Sequence, residues 1–286
     1  MVVPTPPAAR HHELPVVGLR AESRYDLDID GLGDLDVEGP AEGVITTGAL
    51  PDSLPDVVVE ADARATPGYT LFNASAGSRN ARFGGNLIMV DAEGEVVWYH
   101  QDTRSMADVR QLANGNLLFN WDSTGAREID LLGNVVHEWT TTSRVEAGRT
   151  SSDGREFFTE GSAVIDTVRL HHEVAHELPN GNFLGLGMEV RDVEGFDDDL
   201  CGADDPLPDG PRAQRGDVVL EFTRSGEVVT RFPLLDAVDP VAVPGLAVPH
   251  QRVGAGLALR EPGNLIMVDA EGEVVWYHQD TRSMAD

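Results

Sequence analysis

A short unit of turn and strand recurs along most of this chain, and it constrains the fold more than any other feature. Half of the unit is a glycine corner followed by an apolar run, as in GGNLIMV (84–90), LANGNLLFNW (112–121), LPNGNFLGLGM (178–188) and EPGNLIMV (261–268). The Asn-Gly or Pro-Gly corner supplies the positive φ angle that a tight turn needs. The apolar run after the corner predicts a buried strand.

The other half of the unit is a hairpin whose strands are joined by a turn containing Gly94, Gly133, Gly226 or Gly272. Antiparallel units of about 40–50 residues with similar turn chemistry are typical of β-propeller blades. One blade cannot bury both of its faces alone, so blades pack side by side in a ring. A β-sandwich is the alternative, although sandwiches rarely repeat one turn-and-strand pattern so often.

The sequence therefore predicts an all-β protein with an incomplete β-propeller of about four blades or fewer. A small β-sandwich-like domain precedes the blades. The predicted segments are a disordered Pro-rich lead at 1–14, an N-terminal β-domain at 15–62, propeller blades at 63–240, an irregular Pro/Gly-rich segment at 241–262 and a partial blade at 263–286. Within the blades we expect loops at 155–177 and 192–216.

The charge of the chain limits its partners. The formal net charge of −28 argues against nucleic-acid and anionic-membrane partners, which need clustered positive charge. No apolar run reaches the roughly 18 residues of a membrane span, and no signal peptide is visible at the start. Clustered carboxylates at 195–210 suit calcium, but their spacing matches no calcium loop, so a solvated acidic loop is expected and no metal site is predicted.

The stretch LHHEVAHELPNGN (170–182) carries the densest chemistry, with His171, His172 and His176. A metal site would use His171, Glu173 or His176, but the HExxH motif requires a helix and the surrounding pattern is β. A structural role would bond the histidines to backbone groups. In a catalytic role, an imidazole moves a proton or carries a transferred group on a ring nitrogen. Neighbouring residues of a strand point to opposite faces, so one of the adjacent pair faces the predicted channel.

Four stretches together carry a family resemblance: HHEVAHELPNGN, GNLIMVDAEGEVVWYH, VRQLANGNLLFN and TGALPDSLPD. This combination resembles the bacterial arylsulfotransferases, which need no nucleotide sulfate donor, over about residues 12–235. The resemblance implies a small N-terminal β-domain before a six-bladed propeller, a periplasmic or secreted location, aryl sulfate and phenol as small-molecule partners, and no cofactor. It also implies that His172, or His171 if the strand has the other phase, is a catalytic histidine at the channel.

The reaction that the resemblance implies has two steps: a histidine takes the sulfuryl group from an aryl sulfate ester, and a phenol then takes it from the histidine. In the family, further catalytic groups follow the equivalent of FPLLDAVDP (232–240), where this chain offers only His250 and Arg252. We therefore expect that later catalytic blades are missing and that activity is reduced or absent. The alternative is a non-catalytic propeller binding module or an inactive gene fragment. A quinone-dependent propeller dehydrogenase is disfavoured, because the four Trp residues have no regular spacing.

Residues 85–108 and 263–286 are identical, GNLIMVDAEGEVVWYHQDTRSMAD in both. Natural blades diverge because each packs against a different neighbour, so an unchanged copy indicates a truncated or rearranged C-terminus. An incomplete ring exposes strand edges. We expect those edges to support a homodimer.

Overall fold

The structure is a computed structural model, and it describes a defined part of the chain. The described residues are 16–28, 42–58, 68–75, 84–121, 125–150, 154, 156–171, 176–195, 211–237, 263–268 and 274–280. Two compact units are present, unit 1 with Met1–Asp122 and Arg127–His137, and unit 2 with Ser123–Ala126 and Glu138–Asp286. The predicted lead at 1–14 and the irregular segment at 241–262 lie outside the described residues.

The described residues form strands, with two short helices, so the prediction of an all-β protein is confirmed. The strands are β1 (Arg24–Asp28), β2 (Glu42–Thr46), β3 (Thr70–Ser75), β4 (Gly85–Val90), β5 (Val96–Asp102), β6 (Met106–Gln111), β7 (Leu117–Trp121), β8 (Gly125–Ile129), β9 (Val135–Thr141), β10 (Ala163–Ile165), β11 (Arg169–Leu170), β12 (His176–Glu177), β13 (Phe183–Val193), β14 (Arg212–Phe222), β15 (Val228–Pro233), β16 (Gly263–Val268) and β17 (Val274–Asp280). The helices are α1 (Thr142–Ala147) and α2 (Leu234–Ala237).

The strands group into five sheets within the described part of the chain. In unit 1, β1 pairs with β2, and β3, β4 and β5 form a three-stranded sheet. In unit 2, a sheet has the order β11-β13-β14-β15 with β12 also paired to β13, and β16 pairs with β17. A five-stranded sheet has the order β10-β9-β8-β7-β6, and the residue boundary between the units falls within β8 and β9.

Two features of these sheets differ from the sequence prediction. β10 pairs with β9 in parallel, whereas the repeated hairpins predicted antiparallel neighbours. The predicted loop at 155–177 contains β10, β11 and β12, and the long strands β13 and β14 extend into 192–216. These loop predictions were partly wrong. In the second of the two loops, polar residues continue the pairing of β13 and β14, as in Asp192 opposite Ala213.

The predicted glycine turns form, and they share one hydrogen-bond geometry. Between β4 and β5, the Asp91 carbonyl accepts the Gly94 N–H and the Asp91 N–H donates to the Glu95 carbonyl, each at 3.0 Å. The same two bonds close the turns at 112–116, 130–134, 178–182 and 223–227. In all five turns the fourth residue is glycine with φ between 82° and 88°, the left-handed conformation that a side chain disfavours. Gly272 lies outside the described residues.

The core of unit 1 lies on both faces of β4, all six of whose residues are buried. Leu87 packs in a cluster with Leu117, Phe119 and other apolar residues. Ile88, on the opposite face of the strand, packs in a second cluster that includes Leu54. A strand buried on both faces reads as a continuous apolar run, which is why LIMV shows no polar alternation.

Gly125→Ala should destabilise unit 2 by about 3 kcal/mol, the upper end of the cost of overpacking. A Cβ at position 125 would overlap the backbone carbonyl oxygen of Trp139. Because that obstacle is backbone, it cannot turn aside as a flexible side chain would. Urea unfolding of Gly125→Ala beside Gly48→Ala measures the effect, since a Cβ at Gly48 meets nothing within 4 Å. Equal unfolding midpoints for both variants would contradict the close packing of β8 on β9.

Candidate functional site

The described residues of the histidine stretch lie at the edge of the sheet formed by β11 to β15. β11 pairs with β13, and the His171 N–H, just beyond β11, donates to the Leu186 carbonyl at 3.1 Å. His176 begins β12, which pairs with the start of β13, and only its backbone is described. His172, the first choice for the catalytic residue, lies outside the described residues, as does Glu173. The strand β13 thus positions His171 and the backbone of His176.

The imidazole of His171 is fixed by two acceptors on one nitrogen. Its Nε2 lies 3.1 Å from the Gly187 carbonyl oxygen and 3.3 Å from Oδ1 of Asp217. Since neither acceptor can donate, Nε2 carries the proton, and in the neutral ring the lone pair is on Nδ1. The His171 side chain is 12% exposed and that of Asp217 is 51% exposed. The site therefore holds a mostly buried imidazole in a defined tautomer beside a carboxylate at the surface.

Gly187 has no room for a side chain beside this imidazole. A Cβ at position 187 would lie 2.6 Å from both Oγ1 of Thr167 and Cδ1 of Leu220. Thr167 in turn bonds the next residue of β13, because its hydroxyl accepts the Met188 N–H at 3.1 Å and donates to the Met188 carbonyl at 2.9 Å. The carbonyl that orients His171 thus belongs to a closely packed part of β13.

The asparagines of the LPNGN segment clamp a glutamate. Asn180 and Asn182 each donate an Nδ2–H to Oε1 of Glu221, at 3.0 and 2.6 Å. Asn114 and Asn116 make the same two bonds to Oε1 of Glu128, at 2.9 and 2.5 Å. Each clamp joins the Asn-Gly-Asn turn to the strand that pairs with the one after the turn. The Asn180 and Asn182 bonds therefore tie the turn at 178–182, directly after the histidines, to β14, and the Asn114 and Asn116 bonds tie the turn at 112–116 to β8.

The clamp at Glu221 should make stability depend on pH in the acid range. The amide donors of Asn182 and then Asn180 lower the pKa of Glu221 below its ordinary value of 4.5. A lowered folded-state pKa stabilises the protein above the unfolded-state pKa, and this contribution is lost as pH falls through the folded-state pKa. Urea midpoints measured from about pH 7 to about pH 3 should therefore fall more steeply for the wild type than for Glu221→Gln. Glu194→Gln, at an exposed position, is the control; parallel curves for all three proteins would contradict the clamp.

A second concentration of charge lies in unit 1, around Trp121. The guanidinium carbon of Arg127 lies 3.5 Å from the centroid of the Trp121 ring, and that of Arg104 lies 4.9 Å from it. Arg127 Nη1 and Trp121 Nε1 both donate to Oδ2 of Asp102, at 3.1 and 3.2 Å. Arg104 and Trp121 are each 6% exposed. These contacts form a packed cation–π cluster that joins β5, β7 and β8.

His100, in the same unit, is a packing residue. Burial lowers the pKa of its imidazole, a nearby Asp102 raises it and Arg127 lowers it again. The ring stacks at 6.3 Å from Trp98 and lies 6.3 Å from Phe119. A neutral imidazole packed among aromatic rings is better suited to a packing role in the core than to a role in proton transfer.

Three residues of the site were missed by sequence reasoning: Gly187, Asp217 and Glu221. Asp217 and Glu221 stand at alternating positions of the segment DVVLE in β14, so both lie on one face of the strand. That alternation was a readable signal for a polar face, but it does not say which distant residue each carboxylate meets. Gly187 is one of two glycines in GLG and carried no distinguishing pattern.

The part of the chain that the structure describes does not assemble a metal site at the histidine stretch. Among those residues, no three His, Cys, Asp or Glu side chains are grouped closely enough to hold a metal ion. The acidic segment 195–210 lies outside them except for Gly195. A separate finding concerns membranes: no helix within the described ranges has the length and apolar character to cross one.

Comparison with known proteins identifies the family. The family model described as Arylsulfotransferase (ASST) matches residues 57–254. The chain belongs to the arylsulfotransferase family. No curated protein gives a significant match. Among solved structures, a protein of unknown function from Bacteroides caccae is 16% identical with a TM-score of 0.30, over 59% of this chain and 41% of that one. This chain thus spans less than half the length of that protein.

Proposed function

We propose that this protein transfers a sulfuryl group from an aryl sulfate ester to a phenol through a sulfated histidine, and that His172 is that histidine. Family membership over residues 57–254 supports an arylsulfotransferase-like activity. The observation that carries the proposal is the fixed imidazole of His171, directly before His172, beside Asp217. An imidazole anchored in this way supplies a nitrogen of defined protonation in the segment that the proposal makes catalytic.

The proposed reaction consists of two displacements at sulfur. In the first, a lone pair on an imidazole nitrogen forms an N–S bond, and the S–O bond to the aryl group breaks with its electron pair, which releases a phenolate. In the second, the oxygen of the acceptor phenol forms a new S–O bond, the N–S bond breaks, and the phenolic proton passes to a base or to solvent. Imidazole is a competent nucleophile near neutral pH, so each step is easier than a direct transfer between two phenols.

His171 is the second choice for the nucleophile, and its geometry fixes which atom would react. Since Nε2 donates to Gly187 and Asp217, the attacking atom on His171 would be Nδ1. In the preferred assignment, with His172 as the nucleophile, His171 stays unmodified, and its Nε2 remains 3.3 Å from Oδ1 of Asp217.

A chromogenic assay tests the activity. The purified full chain is incubated with 4-nitrophenyl sulfate, with and without 1-naphthol as the acceptor. We expect 4-nitrophenol release that depends on 1-naphthol, formation of naphthyl sulfate in equal amount, and double-reciprocal plots that stay parallel as the acceptor concentration changes. Release no faster than with heat-denatured protein would overturn the proposal.

A second measurement tests the intermediate. Incubation with the donor alone should leave a protein whose mass has increased by one sulfuryl group, and tandem mass spectrometry should place that group within residues 170–182. Later addition of 1-naphthol should remove it. Transfer without any such adduct would contradict the histidine intermediate.

A further inference from the structure

The two identical segments of the chain fold into the same hairpin. In the first copy, β4 pairs with β5 from Gly85 opposite Asp102 onward, with a register shift between Met89 and Val90. In the second copy, β16 pairs with β17 from Gly263 opposite Asp280 onward, with the shift at the corresponding place. The first copy therefore shows what the second copy needs in order to be fully paired.

The first copy is completed by a third strand on the outer edge of β4. β3 pairs antiparallel with all six residues of β4, so that Leu71 lies opposite Met89 and Phe72 opposite Ile88. The side chain of Asn86 adds a bond across this pair, from its Nδ2 to the Ala74 carbonyl at 3.1 Å. All six β4 residues are buried in this setting. The sequence GNLIMV is thus suited to an antiparallel neighbour with apolar residues.

The second copy has no such neighbour among the strands that the structure describes. Its sheet consists of β16 and β17, so none of the described strands pairs with the outer edge of β16. A two-stranded hairpin is at best marginally stable in water, and an unpaired apolar edge is a template for another strand. The pairing partner of the first copy, β3, is already used by β4.

We propose that β16 of one molecule pairs antiparallel with β16 of a second copy of this chain, which gives a four-stranded sheet β17-β16-β16-β17. A twofold axis at Ile266 places Ile266 opposite Ile266 of the second molecule, and Leu265 opposite Met267 of the second molecule. Apolar residues then oppose apolar residues, as they do between β3 and β4. A second molecule of this chain is the partner, because every molecule presents the same edge and the register is self-complementary.

The charge of the chain predicts how this association responds to salt. Each molecule has a formal net charge of −28, so two copies repel at low ionic strength. At about 1 M salt the screening length falls to about 3 Å, and the repulsion between surface charges is largely removed. The dimer should therefore strengthen with salt, opposite to an interface held by ion pairs.

Sedimentation equilibrium of the full chain tests the association. We expect a dimer at about 1 M salt and a shift toward monomer at low salt, whereas the chain without residues 263–286 stays monomeric in both. Circular dichroism should show that the shortened chain keeps its β structure. A full chain that is monomeric at high salt, or a shortened chain that still forms dimers, would overturn the proposal.

Cysteine cross-linking tests the register, with the first copy as a matched control. In a Cys201→Ser background, Ile266→Cys should form a disulfide-linked dimer under mild oxidation, because directly opposite residues in antiparallel strands are close enough for a disulfide. Ile88→Cys, in identical local sequence but opposite Phe72 of its own chain, should stay monomeric. Leu265→Cys should cross-link more slowly, since it lies opposite Met267. Equal rates for Ile266→Cys and Ile88→Cys would overturn the proposal.

Discussion

Replacing His172 with alanine should lower the rate of aryl sulfate turnover by on the order of 10⁴-fold or more, because the proposed nucleophile is lost. Donor binding should change far less than turnover, since the substitution removes no binding group from the rest of the site. The sulfated adduct should also disappear from protein incubated with 4-nitrophenyl sulfate alone. Initial rates and intact-protein mass spectrometry on the same samples measure both effects.

His171→Ala separates the two adjacent histidines. If His172 is the nucleophile, removal of the ring that Gly187 and Asp217 hold should cost about 10²-fold through loss of positioning, while the adduct still forms. His137→Ala is the control, since His137 lies on β9 outside the 170–182 stretch. An adduct that persists in His172→Ala and vanishes in His171→Ala would assign the reaction to His171 instead.

The local features of the fold could be predicted from the sequence because their causes are local. Gly94, Gly133 and Gly226 stand where a hairpin needs a left-handed residue, and all three occupy that conformation. The apolar run after the Asn-Gly corner at 114–115 predicted a buried strand, and β7 is buried throughout. Turn chemistry and strand burial act within a few residues, so a single sequence reveals them.

The partners of the site could not be predicted, because they depend on the register between distant strands. Glu221 accepts a hydrogen bond from Asn180, which lies 41 positions earlier in the sequence. Asp217 lies beside His171 only because β13 and β14 pair with Met188 opposite Asp217. A slip of one residue in that register would turn both carboxylates to the other face of the sheet. The parallel addition of β10 to β9 likewise joins segments that no turn connects directly.

Trp139→Ala should produce the largest loss of stability in unit 2, about 3–5 kcal/mol. Trp139 is 1% exposed, and its ring centroid lies 5.1 Å from that of Phe183 and 6.3 Å from that of Phe222. Truncation removes a large buried area and leaves a cavity between β9 and the strands β13 and β14. Urea unfolding followed by circular dichroism measures the loss. Tyr99→Ala, at a position 41% exposed, should cost less than about 1 kcal/mol.

A double-mutant cycle distinguishes a specific aromatic contact from simple loss of apolar area. Trp139 and Phe183 meet edge to face, with 68° between their planes, the geometry that aromatic quadrupoles favour. Trp139→Ala, Phe183→Leu and the double variant should therefore show a coupling of about 0.5–1.5 kcal/mol. Additive losses would mean that the two rings contribute only buried area. A measured coupling would show that the edge-to-face geometry itself contributes to the stability of unit 2.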